Sequence, residues 1–537
     1  MCINQKDEVE KTEQVQLMRQ IYQTATEVVI WLGNADTKSD KALAVIPFVV
    51  EAAQGDAATG VTRNLLIPQE RPDSFPWASD PIWEDLAEIF RRPWFQRAWV
   101  VQELAVASKA TMLCGDSAVP FDDMLAAFEY LLRSNHTILI QGRTVELGSF
   151  ARLVDARKAF IDEQKASPLG VLLKQRETLA SDNRDKLFAF HGLFKPETLG
   201  ASATMPDYGL SCLEVYRRFA CETLTTSRNL DLLSVPRVTE RSAIGGLPTW
   251  VPDWSCSDLC ASLLTARICS LPSFQPWYSA SDGSSYDPVF IDSNSKLLLK
   301  GHIFDAIHLL SEPFVDSEGE PEDEVTTGIN HQQQFSALEN VAITHVPGTP
   351  MLSYPRTGEH AQEAYWQTLM TGCADPYKSI MRSAFYKWWT IHLLFRILQF
   401  LRLDKAWVLV PFMKFWTMLN VLLYMIRPAT FGKSFVNDPL VLGFKFAMNN
   451  LGYRRMLKTD SGLLGLAPRC TQVGDFLAIC KGGKVPLVIR PKVRATQGSV
   501  EILEWELIGE SYVHGAMDGS LWRELEGKGA AQDIVLI

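Results

Sequence analysis

The chain contains a short apolar run, Val28-Val29-Ile30-Trp31-Leu32, which is closed by Gly33. A continuous apolar run of this length indicates a strand buried on both faces, as in a parallel sheet. Upstream, Asp7-x-x-Glu10 has the spacing of a helix N-terminal capping box, and apolar residues follow it at helical spacing. A helix followed by a buried strand is half of an α/β unit, and such a unit requires an earlier strand. Because few residues precede the capping box, we expect the sheet to lack its first strand.

The periodicity of the chain predicts four segments. Residues 1–150 continue the α/β pattern with a further helix and a further short strand. Residues 151–310 are mainly helical and end in a β-hairpin, whereas residues 311–450 hold an acidic linker and an apolar helical region. Residues 451–537 have the pattern of short strands joined by turns, with a second hairpin predicted over 476–489. The predicted class is therefore α/β at the N-terminus, followed by a mostly helical middle region and a small C-terminal β-rich module.

Composition excludes several classes of function. Lys and Arg number 52 against 62 Asp and Glu, a net charge of −10, and neither a basic stripe nor a zinc-finger spacing occurs. We therefore expect no nucleic-acid partner. The ten cysteines include no C-x-x-C pair, so we expect neither a metal site nor a disulfide framework. The polar opening of the chain does not have the pattern of a signal peptide, which predicts a cytoplasmic protein.

The most apolar part of the chain covers residues 386–426. Its portion from Ala406 to Ile426 reaches the roughly 20 residues that a bilayer span requires. Pro411, Lys414 and Asn420 interrupt that portion, and further charges precede it. These polar residues favour a buried helical hairpin first, a helix lying at a membrane interface second and a true span third. Membrane association through 386–426 therefore stays an alternative to a purely cytoplasmic location.

Three blocks of sequence carry a family resemblance. The first contributes Cys2, Asn4, Gln5, Asp7, Gln14, Tyr22, Trp31 and Gly33. The second is Arg92-Pro93-Trp94-Phe95-x-Arg97-Ala98-Trp99-Val100-Val101-Gln102-Glu103. The third comprises Asp182-x-Arg184-Asp185-Lys186-Leu187-Phe188, Asp207-Tyr208 and Leu247-Pro248-x-Trp250-Val251-Pro252-Asp253-Trp254. Together they resemble the heterokaryon-incompatibility (HET) domain of filamentous fungi, and the tail over 462–519 resembles the end of long HET proteins. Roughly residues 310–450 lie outside the resemblance.

The resemblance implies a TIR/flavodoxin-like HET domain within residues 1–150. In the family, strands with Ser-Tyr-x-Trp-Gly and Trp-Ile-Asp signatures precede the first block, and both signatures are absent here. This agrees with the expected missing strand and predicts either a truncated gene model or an inactive allele. The implied role is that of an effector in fungal non-self recognition, which triggers growth arrest or programmed cell death. Such an effector would act with an unidentified incompatibility partner protein or through self-association.

The resemblance to TIR domains also implies one chemistry. TIR hydrolases that cleave NAD place a glutamate four residues after a tryptophan on a helix, and Trp99-x-x-x-Glu103 has that spacing. Glu103 would then be catalytic, stabilising the oxocarbenium-like charge that develops as nicotinamide leaves, and Trp99 would bind the substrate. NAD would be a substrate, and no cofactor is expected. The alternative is that Trp99 belongs to the core and Glu103 pairs with Arg97, in a protein that acts without catalysis.

Two further polar motifs have structural interpretations beside functional ones. Arg184-Asp185-Lys186 could bind phosphate, but alternating charges before an apolar run favour a solvated helix start with internal pairing. His514 lies in a β context without a nearby carboxylate in the sequence, which favours a structural histidine.

Overall fold

The structure is a computed structural model, and it describes residues 4, 7–60, 63, 72, 75–77, 80–133, 148–161, 168–194, 204–236, 244–256, 262–264, 278–315, 324–350, 352–372, 378–400, 451–496 and 499–537. The chain forms two compact units, Met1–Thr223 and Leu224–Ile537. The division into four segments at 150, 310 and 450 remains a prediction.

The first unit combines helices with a small sheet. Its strands are β1 (Val28–Trp31), β2 (Ala110–Cys114) and β3 (Ser117–Pro120), in that order across the sheet. Its helices are α1 (Glu8–Thr24), α2 (Thr37–Ala44), α3 (Ile46–Thr59), α4 (Ile82–Phe90), α5 (Trp99–Ala105), α6 (Phe121–Arg133), α7 (Gly148–Ile161), α8 (Pro168–Lys174), α9 (Asp185–Phe188) and α10 (Cys212–Ser227), the last of which crosses the boundary between the units.

The N-terminal helix and strand form where the sequence predicts them. The Asp7 side chain caps α1 by accepting hydrogen bonds from the backbone N–H groups of Val9 (3.0 Å) and Glu10 (3.1 Å). Such a cap satisfies N–H groups that have no partner within the helix. Strand β1 pairs with β2 in parallel, with Val28 opposite Ala110. The mixture of helix and parallel sheet agrees with the predicted α/β class.

Burial of β1 differs from the prediction. Val28 and Ile30 are buried, but Val29 and Trp31 are 60% and 53% exposed, so the described residues cover only one face of the strand. The prediction of burial on both faces was wrong because an apolar run specifies a strand without specifying whether a second layer covers it. Trp31, a residue of the family motif, is therefore on the surface of the described unit.

The second unit is rich in β-structure. Its strands are β4 (Val289–Ile291), β5 (Lys296–Leu310), β6 (Arg454–Thr459), β7 (Leu464–Pro468), β8 (Phe476–Cys480), β9 (Leu487–Thr496), β10 (Ser499–Glu510), β11 (Tyr512–Val513) and β12 (Gln532–Leu536). Its helices are α11 (Glu324–Ile343), α12 (Ala361–Leu369), α13 (Lys378–Phe400) and α14 (Ser520–Lys528). The predicted hairpins over 289–299 and 476–489 are confirmed as the antiparallel pairs β4–β5 and β8–β9.

The long strand β5 closes a ring of five strands. It pairs with β12 on one side and with β8 on the other, and β12, β10, β9 and β8 pair in succession between them. Gly301 of β5 lies close against β8, since a Cβ there would meet the Ile479 carbonyl oxygen at 2.6 Å. The far end of β5 instead pairs with β6, which continues through β7 to β11. One strand thus links the ring to a second group of strands.

Helices α11 and α12 pack on the second group of strands, and α13 contacts these two helices. Trp366, Phe385, Trp388 and Met456 belong to one buried apolar cluster there. Trp388, near the start of the apolar stretch 386–426, is therefore part of the core, and residues 401–426 lie outside the described residues. Among the described helices, none combines the length and the apolar character needed to cross a membrane.

Candidate functional site

Helix α5 carries both residues of the predicted Trp-x-x-x-Glu pair. A 3-10 turn over Pro93–Gln96 precedes it, and the helix itself begins at Trp99. Residues four apart lie one turn apart on the same helix face, so Trp99 and Glu103 are neighbours. Both are half-buried. Their polar atoms nevertheless bind different partners.

Trp99 is held by a buried aspartate. The indole Nε1 donates to Asp185 Oδ2 at 3.0 Å, and the Tyr208 hydroxyl donates to Asp185 Oδ1 at 2.5 Å. Burial raises the pKa of the Asp185 carboxyl above its usual range, although both hydrogen bonds oppose that change. Burial and the neighbouring Asp185 also raise the pKa of Tyr208. One carboxylate therefore connects α5, α9 and the segment around Tyr208.

The residues beside Asp185 extend the same network to α1. Lys11 Nζ lies 3.4 Å from Asp182 Oδ2 and 3.8 Å from the centre of the Tyr208 ring. Arg184 pairs with Asp182 at 2.9 Å and donates to the carbonyl oxygens of Tyr208 (2.6 Å) and Leu210 (2.9 Å). The Arg184 guanidinium holds the pKa of Asp182 below its usual range, although burial acts in the opposite direction. The charges thus pair within the chain.

Lys186 is also directed into the protein. It is 7% exposed, as is Asp185, and its Nζ donates to the carbonyl oxygens of Arg176 (3.0 Å) and Thr178. These carbonyls follow the end of α8, where a cation interacts favourably with unsatisfied carbonyl groups. The solvated helix start expected for Arg184-Asp185-Lys186 is therefore wrong for Asp185 and Lys186. Alternating charges do not reveal that the partners come from elements distant in sequence.

Glu103 has a separate set of partners. It accepts a hydrogen bond from Tyr22 on α1, and the exposed Arg97 lies close enough to attract its charge. Burial raises the pKa of Glu103, while Arg97 and the Tyr22 hydrogen bond act to lower it. Burial and Glu103 together raise the pKa of Tyr22 to about 12. A carboxyl that stays protonated to a higher pH than usual can serve as a proton donor.

Two protein families match the chain, one in each of its two units. Residues 1–103 match the family model described as heterokaryon incompatibility protein (HET), and residues 436–529 match the Het-6 beta-barrel domain. The chain is 22% identical to "Heterokaryon incompatibility protein 6, OR allele" of Neurospora crassa, over 97% of this chain and 80% of that protein. No solved structure matches. This chain is a HET-domain protein.

Two further motif residues of the HET-domain protein, Gln102 and Gly33, stabilise the local backbone conformation. Gln102 Oε1 accepts the backbone N–H of Gly192 at 2.9 Å, and a Cβ at Gly192 would meet that oxygen at 2.5 Å. Gly33 has φ +100°, a conformation that favours glycine, and its carbonyl accepts from Gly115 at 3.0 Å. Asn4 is exposed and Gln14 half-buried, whereas Cys2 and Gln5 lie outside the described residues.

The second unit, Leu224–Ile537, is called the barrel unit below, and it contains a histidine network that the sequence did not predict. His514 is buried, and its Nε2 lies 2.5 Å from Glu359 Oε1 while its Nδ1 lies 3.1 Å from the Tyr512 hydroxyl. Tyr354 donates to the His514 carbonyl at 2.8 Å. The hydrogen bond from His514 lowers the pKa of Glu359 to about 2. The carboxylate partner lies 155 residues upstream, so no local pattern indicated it.

The charged clusters of the HET-domain protein do not have the composition of a metal centre. Among the residues that the structure describes, no group of three or more His, Cys, Asp or Glu side chains is arranged to hold a metal ion. The polar groups described above are instead satisfied by hydrogen bonds and ion pairs within each unit.

Proposed function

We propose that this HET-domain protein is an effector of fungal heterokaryon incompatibility, which triggers growth arrest or programmed cell death after fusion of incompatible hyphae. The observation that carries the proposal is the extent of the alignment with the Neurospora crassa protein, which covers 97% of this chain. Both the HET segment and the barrel segment are matched, at opposite ends of the chain. A shared pair of domains supports a shared role better than one short motif does.

The contacts of the HET motif favour an effector that acts by binding. Asp185 and Lys186 are buried, and their polar atoms bind groups of the same unit. Side chains in such contacts maintain a fold rather than contact a substrate. We therefore propose that the unit works in the cytoplasm through an incompatibility partner protein or through self-association.

Inducible expression in a filamentous fungus tests the effector role. We expect growth arrest and uptake of a vital dye in cells fused with strains of a different incompatibility genotype. Asp185→Ala should abolish the arrest because it removes the acceptor shared by Trp99 and Tyr208. Asp122→Ala, at an exposed position of α6, is the matched control and should retain it. Normal growth despite accumulation of the wild-type protein would contradict the proposal and indicate an inactive allele.

A second candidate function is cleavage of NAD as the killing activity. Its support is the position of Trp99 and Glu103 on one face of α5, together with the raised pKa of Glu103. Catalysis would require Glu103 to exchange its Tyr22 hydrogen bond for a substrate contact. Purified protein should then consume NAD, Glu103→Ala should not, and Glu88→Ala on α4, an exposed glutamate, should behave as wild type. Equal NAD loss with and without Glu103 would exclude this assignment.

A further inference from the structure

Helix α13 carries a polar stripe along an open depression in the surface. The depression has a volume of about 510 Å³, and the described residues that line it are Ser379, Arg382, Ser383, Tyr386, Lys387 and Thr390. Successive spacings of three, one, three, one and three residues place all six on one side of the helix.

The chemistry of this lining suits an anion. Two of the six side chains are cations, four carry hydroxyl groups, and no carboxylate is among them. Arginine and lysine only donate hydrogen bonds, and serine hydroxyls can also donate, so the set matches the acceptor oxygens of a phosphate group. The whole chain carries a net charge of −10, so the stripe is opposite in sign to the protein that bears it.

One carboxylate outside the lining orients the arginine. Glu363 Oε1, on α12, accepts from Arg382 Nε at 3.0 Å and lies 2.9 Å from Arg382 Nη2. The same oxygen accepts from the Tyr386 hydroxyl at 2.7 Å. A guanidinium bound along one edge loses less freedom when it binds a ligand through its remaining N–H groups. The Arg382 side chain is nevertheless 57% exposed and within reach of a ligand.

The opposite face of α13 argues for a free ligand and against a membrane surface as the binding partner of the stripe. Met381, Ala384, Phe385 and Trp388 are buried in the apolar cluster of the second unit. A helix that lies in a membrane interface must bury its own apolar face among the lipids. Over 381–388 that face is already occupied, which disfavours the interfacial alternative for this part of the chain.

We propose that the polar stripe of α13 binds a phosphate-bearing small molecule that is free in solution. This adds a ligand to the proposed effector, and the site lies in the second unit, whereas Trp99, Glu103 and Asp185 lie in the first. The inference therefore does not depend on the incompatibility role or on NAD cleavage.

Titration with inorganic pyrophosphate tests the site. Pyrophosphate is added to the full chain at constant ionic strength, and binding is followed by calorimetry and by the thermal unfolding midpoint. We expect saturable binding that raises the midpoint, because a ligand that binds only the folded state stabilises it. Arg382→Gln should weaken the affinity by about tenfold or more, since it removes a charge-assisted contact. Ser383→Asp should weaken it as well, through repulsion.

Arg523→Gln is the matched control. Arg523 is also 57% exposed and also pairs with a carboxylate, that of Asp282, but it lies on α14. Its replacement should leave pyrophosphate binding unchanged. Absence of saturable binding to the wild-type chain, or equal affinities for the wild type and Arg382→Gln, would overturn the proposal. Arg382-dependent sedimentation with phosphatidylserine-containing vesicles, without pyrophosphate binding, would overturn it in favour of a membrane surface.

Discussion

The indole nitrogen of Trp99 donates a hydrogen bond to Asp185 Oδ2 across 3.0 Å, joining two motif residues that lie 86 positions apart in the chain. The same carboxylate accepts from the Tyr208 hydroxyl. Trp99, predicted as a substrate-binding residue, therefore also fixes α5 to α9. Any loss of function in a Trp99 variant must be separated from loss of folding before it is assigned to chemistry.

We predict that Trp99→Phe destabilises the first unit by about 1–3 kcal/mol, because Asp185 Oδ2 loses its indole donor in a buried position. The measurement is urea-induced unfolding of the full chain followed by circular dichroism. Trp31→Phe is the control, since Trp31 is half exposed and its replacement should change stability by less than about 0.5 kcal/mol. Equal effects of the two substitutions would show that the Trp99–Asp185 contact contributes nothing specific.

We predict that Tyr22→Phe raises the pKa of Glu103 further above its usual range. The Tyr22 hydroxyl donates to the ionised carboxylate and so opposes the effect of burial. Carbon-13 NMR titration of the Glu103 carboxyl measures the change directly. Arg97→Gln should shift the pKa in the same direction, because Arg97 lies close enough to attract the charge. An unchanged titration in both variants would contradict the contacts described for Glu103.

We predict a large loss of stability when one partner of the Arg454–Glu510 pair is removed. The two side chains are 1% and 2% exposed and lie 2.7 Å apart, and Glu510 also accepts from the Leu263 N–H at 2.6 Å. Arg454→Met leaves a buried carboxylate without its counter-ion, which costs about 3–5 kcal/mol. The unfolding free energy of the barrel unit in urea is the quantity to measure.

Two controls test that explanation. Combining Arg454→Met with Glu510→Gln should recover part of the lost stability, because no isolated charge remains buried. Lys492→Met breaks an exposed ion pair with Glu506 and should cost no more than about 1 kcal/mol. Glu510→Gln could instead destabilise the Arg454→Met variant as much as it destabilises the wild type. In that case, burial of an isolated charge would not be the cause of the lost stability.

We predict that the Glu359–His514 contact makes the barrel unit sensitive to acid. The pKa of Glu359 is about 2 in the folded protein against an ordinary value of 4.5, so the folded state binds this proton more weakly than the unfolded state. The stabilisation that the Glu359–His514 contact gives the folded state is therefore complete above pH 4.5, and it is lost as the pH falls from 4.5 towards 2. Glu359→Gln should flatten the pH dependence of unfolding in that window. An unchanged pH dependence of unfolding in Glu359→Gln would show that other groups cause the acid sensitivity.

The sequence predicted the helix that carries the candidate site but not the partners of its side chains. The spacing of Trp99 and Glu103 correctly placed both on one helix, because i,i+4 neighbours are fixed by helix geometry. The partners of these residues were not predictable, since Tyr22, Asp185 and Tyr208 come from elements brought together only by packing. The same holds for His514 and Glu359, which are 155 residues apart. Whether Glu103 is catalytic remains a prediction.

By itself, the sequence determined the features that depend on neighbouring residues. These include the Asp7 cap of α1, the strand at 28–31, the hairpins β4–β5 and β8–β9, and the motif blocks of the HET family. Tertiary structure alone decided that Asp185 and Lys186 point inward, that β1 is covered on one face, and that β5 closes the five-stranded ring. The physical reason is that backbone periodicity and capping are local, whereas burial and pairing depend on contacts between residues far apart in the chain.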